Sequence, residues 1–590
     1  MGGRHKGGHD GHWVGESPRR MSIERSKIRW NGWGWAAHKS LPSGRASGAV
    51  PGDALAGREE VWTWLAAELG MPALLATPAR PLESIALVPS RLSAEAFEKF
   101  GRILGAERVM CDPFERAFHA LGKSYHDLLR LRAGDLSTAP DAVLYPRSGE
   151  EVLSVLHAAS ELGVAVVPYG GGTSVVGGVT AAPGGFKSVV TLDLSGMDRL
   201  IEIDPVALTA TFEAGIYGPA LEKALAAKGF TLGHYPQSFE FSTLGGWIAH
   251  RGAGQGSGGY GRSENWLVGA KLTTPRGVLS VGGFPSSAAG PQLVDLALGS
   301  EGAFGVVTEA TVRIRPVPQA RDYRGYLFRD FESGTAAIRA AAQSGVGATM
   351  LRLSDAAETR FYRAFGAVGK KRRLPDRIAQ MVLDSRGFDA KACALIAGFE
   401  GSRGEVDLAR KAFDAIAKKH RAIALGEGQG RRWLAGRFHG PYLRDPMMER
   451  GAGVDTLETA TRWSNLETLY VAVRDALDKA MRESAPRDGA HGIVQCHISH
   501  SYPDGASLYF TYIFPRALER EVEQWRAIKT AASDAIVAHG GTISHHHGVG
   551  QDHLPWMAAE KGSLGIDVLR AVKMALDPKG VMNPGKLIPP

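Results

Sequence analysis

A chain of 590 residues, 44% of them hydrophobic, is too long for one core and has the apolar content for two or three packed units. Its net charge of +8 is a modest excess at this length, and without a basic stripe carrying interleaved aromatics it gives no reason to expect a nucleic-acid partner. Three widely spaced cysteines, Cys111, Cys393 and Cys496, form no CxxC pair, so neither a disulfide framework nor a thiolate zinc site is indicated, and no uninterrupted apolar run reaches the roughly 18 residues of a spanning helix. A soluble protein of a reducing compartment is the expectation. No charged-then-apolar leader opens the chain and Pro589-Pro590 is not an SKL-type ending, which leaves the cytoplasm.

Residues 1–20, rich in Gly, His and Arg, read as a disordered tail whose histidines are solvated rather than metal-binding. Residues 21–135 read as an N-terminal helical region, since apolar spacing from Ser93 to about Arg132 is helical until Pro140. The next unit, 136–316, begins strand (AVLYP), helix (GEEVLSVLHAASELG), strand (VAVVPYG), glycine loop, strand (SVVTLDL). It continues with two strands around a turn, a helix GPALEKALAAKG and a strand-rich stretch ending in VVTEATVRIRP. From 317 to 515, strands RDYRGYLF, ATMLRLSD, ACALIAGFEG and SLYFTYIF alternate with helices, as in one antiparallel sheet covered by helices. Residues 516–590 are mostly helical and carry two loops, SHHHGVG and MNPGK. The fold class is α+β.

Val167-Pro-Tyr-Gly-Gly-Gly-Thr-Ser174 places three glycines after a strand, where successive backbone N–H groups can converge on one anion such as a diphosphate. An ordinary tight turn is the competing reading. Two further small-residue segments, Ser242-Thr-Leu-Gly-Gly246 running on to Gly261 and Leu298-Gly-Ser-Glu-Gly-Ala-Phe-Gly305, could lie against a planar ring. Gly254, Gly256 and Gly259 match GxGxxG, but no strand feeds them and no helix clearly follows, so a Rossmann reading is rejected.

In order, PDAVLYPRSGEEV, PYGGGTSVVGG, STLGGWIAHRGAGQGSGGYG, TPRG and LGSEGAFGVVTEATVRIRPVP resemble the FAD domain of the vanillyl-alcohol oxidase superfamily. The resemblance implies a two-domain FAD-binding fold with an antiparallel-sheet substrate (cap) domain. It implies that Pro168, Gly170, Gly171, Gly172, Thr173 and Ser174 bind the diphosphate, that Ser242, Thr243, Gly245, Gly246, Gly252 and Gly254 approach the flavin side, and that Glu301, Ala303 and Val307 meet the remaining edge. The FAD should be non-covalent, because no attachment residue of the family's kind is evident. Trp30-Asn-Gly-Trp-Gly34, Arg352, Tyr502, Tyr509 and Ser544-His-His-His-Gly-Val-Gly550 extend the match over nearly the whole chain to the alkylglycerone-phosphate synthase family.

That family exchanges the acyl group of acyl-dihydroxyacetone phosphate for a long-chain alcohol, with the flavin as a covalent handle rather than a net redox agent. The resemblance gives proton handling to Tyr509, His545, His546 and His547, the substrate phosphate to Arg352, and substrate binding to Arg352, His497 and His500. Read from the residues, three adjacent histidines on a strand would alternate faces and could not easily grip one ion, so no metal is expected. One or two imidazoles facing a pocket suit acid–base work, while a solvated loop and a core tyrosine are the plain alternatives. His497 follows Cys496 where animal members of the family carry arginine, which removes a fork of donors. The alternative function is an FAD-dependent dehydrogenase or oxidase of a D-2-hydroxy acid. Expected partners are lipid-like small molecules, a second copy in a homodimer, and the inner membrane surface in peripheral contact.

Overall fold

Ser148 starts the helix Gly149–Leu162 by accepting from the Glu151 N–H, and Gly163, at φ 64°, ends it in the left-handed conformation that a side chain would strain. This cap pair places the helix between two parallel strands, β2 (Ala142–Leu144) and β3 (Val164–Tyr169). The structure, a computed structural model, describes residues 25–35, 59–369 and 374–590, so the tail expected at 1–20 lies outside the described residues. With β1 (Val109–Met110) and β4 (Ser188–Asp193) the strands form a four-stranded sheet in the order β1-β2-β4-β3. Nearly every residue of β2, β3 and β4 is buried, as parallel strands covered on both faces require.

A second sheet of this unit is antiparallel, in the order β5-β6-β10-β8-β9. Its strands are β5 (Leu200–Asp204), β6 (Thr209–Glu213), β8 (Leu267–Thr274), β9 (Gly277–Gly282) and β10 (Val306–Arg313). A short ribbon pairs β7 (Phe230–Thr231) with β11 (Arg315–Pro316). The helix expected to run to Gly229 stops at Ala226, and Gly229 takes φ 84° in the turn beyond it.

The cap is one seven-stranded antiparallel sheet, β15-β12-β14-β13-β17-β18-β16. It comprises β12 (Ala320–Phe328), β13 (Met350–Ser354), β14 (Cys393–Gly401), β15 (Ile423–Gly426), β16 (Ala452–Arg462), β17 (Ile493–Ile498) and β18 (Gly505–Pro515). Helices Leu466–Glu483 and Glu521–Ala538 pack together on it, so the first of the two C-terminal helices belongs to the cap core with Trp525 and Ile528. The tail of the chain returns to the first unit, where Met582 forms a bridge with Val166 of β3. That return brings the loop 544–550 between the two units.

Candidate active site

After Tyr169 the chain turns through Gly170–Ser174 along the wall of a cleft holding about 1570 Å³ of empty space, part of it open to solvent. The backbone N–H groups of Gly171, Gly172, Thr173, Ser174 and Val175 have no acceptor among the described residues. A row of free donors in a glycine turn is an anion cradle, and it fits the diphosphate of FAD. His234 Nε2 and His250 Nε2, buried on the same wall without a partner, are further groups that a polar ligand would satisfy. The glycines have a second reason. A Cβ on Gly171 would overlap the Phe241 carbonyl oxygen, and one on Gly170 would overlap the Thr243 hydroxyl, so the turn must be bare to pack on the second ligand-facing segment. Beneath it, Arg25 donates to the Gly170 carbonyl at 3.0 Å and pairs with Asp193, which His119 Nε2 meets at 2.8 Å. Burial alone would raise the Asp193 carboxyl, but Arg25 and His119 bring it down to about 2.

Of the residues expected to hold the cofactor, Pro168, Gly170, Gly171, Gly172, Thr173, Ser174, Ser242, Thr243, Gly245, Gly246, Gly252, Glu301 and Val307 line this cleft. Thr243 caps the short helix Leu244–Ala249, its hydroxyl accepting from the Gly246 N–H. Gly254 and Ala303 do not line it. The Gly254 N–H is taken by Ser257, and the Ala303 carbonyl accepts from Lys573. Glu301, held at φ 47°, lines the cleft but spends its carboxylate on the Val549 and Gly550 N–H groups at 2.5 and 2.6 Å. It therefore ties the loop 544–550 to the cradle. The MNPGK loop completes the same clamp, with Asn583 donating to the Gly178 and Glu301 carbonyls and Lys586 to that of Thr180.

The same cleft reaches Tyr509, His546 and His547. Tyr509 lies on β18 directly between His497 of β17 and Glu458 of β16, so the three share one face of the sheet. Its ring stacks on His497 at 4.7 Å, and burial pushes its hydroxyl up to about 12, keeping it a neutral donor at physiological pH. Residues 544–550 form a loop rather than a strand, so alternation of faces does not apply to the three histidines. His545 and His546 both reach Glu458, at 3.6 and 2.5 Å, while His547 stands at 5.5 Å from the Tyr509 ring. His500 stacks on His545, and the ligand atoms of Glu458, His500, His545 and His546 all lie within 4.8 Å of one another. Burial holds His547 and His545 well below the ordinary histidine value.

Arg352, expected at the phosphate, does not line the cleft, and neither do His497, His500 or His545. Its guanidinium is committed to Glu358 at 2.9 Å and to the His497 ring at 2.7 Å. Burial alone would raise Glu358, but His497 and Arg352 lower it to about 2. The cations that do face the cleft are Lys123 and Arg444, and no carboxylate among the described residues comes within ion-pair distance of either. Neither sits in a recognisable motif. Glu458 is equally hidden, because its strand AGVDTLETATR shows no clean alternation of apolar and polar residues.

Residues 140–283 match the FAD binding domain family, and residues 317–587 match the C-terminal domain of FAD linked oxidases. An alkyldihydroxyacetonephosphate synthase of Dictyostelium discoideum is 35% identical over 589 residues, 97% of this chain and 95% of that protein. The chain belongs to the alkyldihydroxyacetonephosphate synthase family. A family member from Trypanosoma brucei brucei is 34% identical, over 86% of this chain and 83% of its own. A solved structure of an alkyldihydroxyacetonephosphate synthase superposes with a TM-score of 0.79 at 32% identity, covering 96% of this chain and 100% of the other. Family membership makes the chain an FAD-dependent enzyme with the two-domain FAD-binding fold of the vanillyl-alcohol oxidase type.

Proposed function

We propose that the protein exchanges the acyl group of acyl-dihydroxyacetone phosphate for a long-chain fatty alcohol, forming the ether bond of ether lipids, with FAD held non-covalently. The observation that carries this reading is one continuous cleft joining the diphosphate cradle to Tyr509, His546 and His547, with Lys123 and Arg444 on its wall. FAD, when bound, supplies the flavin ring as the reactive surface beside the substrate carbon. Arg444 and Lys123 then offer a substrate phosphate two cations with no carboxylate among the described residues within ion-pair distance. Burial brings Lys123 down to about 8, so an arriving dianion would also restore its full charge. The Tyr509 hydroxyl, kept protonated, donates to a developing oxyanion, while neutral His547 and its neighbour His546 accept or return protons.

The test is transfer of labelled hexadecanol into acyl-dihydroxyacetone phosphate by the FAD-loaded protein, with Arg444→Ala raising KM at least about tenfold. No transfer, together with anaerobic bleaching of the flavin by D-lactate or D-2-hydroxyglutarate, would replace this reading with the hydroxy-acid dehydrogenase. Contact with the membrane surface, where such alcohols partition, belongs to the same proposal. The helix Leu374–Ser385 leaves Ile378, Met381 and Val382 exposed, and Lys370-Lys-Arg-Arg373 precedes it in sequence. Co-flotation with vesicles containing anionic lipid, lost in Met381→Asp, is the expected result.

A further inference from the structure

Glu458 is a carboxylate with no solvent exposure midway along β16, the edge strand of the cap sheet, on the face that meets the cleft. An uncompensated charge there would be costly, so its surroundings must keep it ionised. Oε1 accepts from the Ser499 hydroxyl at 3.0 Å, while Oε2 faces His546 Nδ1 at 2.5 Å and no other donor among the described residues. Burial alone would raise this carboxyl, but His546 and His545 hold it well below the usual carboxylate range.

Four donors this close also raise the question of a metal, and the contacts of His545 answer it. Arg262 Nη1 lies 3.2 Å from His545 Nε2 and donates to it, and the Tyr502 hydroxyl is 2.7 Å from the same nitrogen. A histidine bound to a cation through Nδ1 carries its proton on Nε2 and needs an acceptor there. The guanidinium can only donate, so its contact calls for a neutral ring with its lone pair on Nε2, and the Tyr502 hydroxyl, able to donate or accept, meets that nitrogen as a donor. His545 is therefore a hydrogen-bonded link between Arg262 and the Glu458 cluster. His546 differs. Its Nδ1 lies 3.1 Å from His545 Nδ1 and 2.5 Å from the Glu458 carboxylate, and the charged oxygen is the acceptor that draws its proton, which leaves Nε2, without a partner among the described residues, as the lone-pair nitrogen of a ring on the cleft wall.

We propose that Glu458 is the positioning residue of this active site, fixing His546 with its proton on Nδ1 so that Nε2 is the proton acceptor presented to substrate. The assignment rests on the exchange reaction above. In that reaction the alcohol gives up one proton and the departing acyl oxygen gains one, and Nε2 carries it between them with no oxidant or reductant. Glu458 stays ionised throughout and offsets the positive charge on the imidazolium, as a buried carboxylate does for the histidine of a nucleophile–base pair. The other groups around the pair are Tyr509 from β18, Ser499 and His500 beyond β17, His545 and His547 of the loop, Arg262 and Tyr502. Farther off, His234 of the first unit bears on His546.

Glu458→Gln keeps the volume and the Ser499 contact while removing the charge. In the FAD-loaded full chain it should retain stoichiometric flavin, with kcat at least about thirtyfold lower and KM changed less than about threefold. Because the carboxylate stabilises the imidazolium, its loss should move the acid limb of the kcat–pH profile about one unit or more to lower pH. Glu458→Asp, which keeps the charge, should leave that limb within about half a unit of the unmodified protein. Spectra of the ¹⁵N-histidine-labelled holoenzyme without substrate, assigned with His546→Asn, should show His546 protonated on Nδ1 in the unmodified protein. They decide the tautomer even if no exchange activity is found, a result that would remove the proposed function and leave the pairing of Glu458 with His546 Nδ1 to be judged on the spectra. An unmoved acid limb in Glu458→Gln, an Nε2-protonated His546, or stoichiometric zinc lost in that variant would each overturn the proposal.

Discussion

The cofactor cradle and the proton-handling end of the cleft are built by opposite means. The cradle works by the absence of side chains: bare turns at Gly170–Gly172 free a row of N–H groups and let two backbone segments touch. The other end works by the presence of titratable groups on a rigid sheet, where Tyr509, Glu458 and His497 sit in register and a loop adds three histidines. A change in the cradle should therefore remove the flavin, whereas a change in the sheet should remove the chemistry and leave the flavin in place.

The largest effect should come from Gly171→Ala, whose single added carbon runs into the Phe241 carbonyl oxygen, and loss of essentially all 450 nm flavin absorbance is the expected outcome. Retained FAD would show that the two segments can separate and that the cradle is not a fixed device. Next in size is Tyr509→Phe, which deletes one hydroxyl at nearly constant volume. Exchange should fall about a hundredfold or more with FAD content unchanged, the scale expected for losing a positioned acid or base. Flavin loss in that variant would erase the distinction between the two ends.

A smaller and purely thermodynamic contrast lies in pH. Burial holds His500 and His553 down to about 3, far below the roughly 6.5 of an unfolded chain. Between these values the unfolded chain binds more protons, so the stability is fully present above about pH 6.5 and is lost as pH falls. Each ring should cost up to about 1.4 kcal/mol per pH unit, read as a falling Tm between pH 6.5 and 5. A Tm that holds steady over that range would mean the rings are reached by solvent. The smallest effect should be that of Gly163→Ala. Its positive φ strains any side chain, yet nothing lies within 4 Å of the added carbon. A loss of about 1 kcal/mol with full FAD binding is expected, measured by denaturant titration, and it separates a glycine needed for its dihedral from one needed for its bareness.

Much of the fold was legible because its signals are local. The helix Gly149–Leu162 announces its ends in Ser148 and Gly163, and the buried strand β3 reads as an unbroken apolar run ending in glycines. The family resemblance came from such short, ordered segments, and most of the cofactor-facing residues named from them line one cleft. β16 has no such local signal, because AGVDTLETATR mixes apolar and polar residues without a clean period, some of its polar side chains being buried against the histidine loop.

The sequence by itself determined most of the elements, the glycine turns and the family, since each depends on residues close together in the chain. Only the tertiary structure decided which charges meet across it. It assigned Arg352 to Glu358 and His497 rather than to the cleft, left Lys123 and Arg444 there without ion-paired carboxylates among the described residues, and brought Glu458 against His546, 88 positions further along the sequence. Strand register and the return of the C-terminal tail set those pairings, and neither leaves a trace in local residue order.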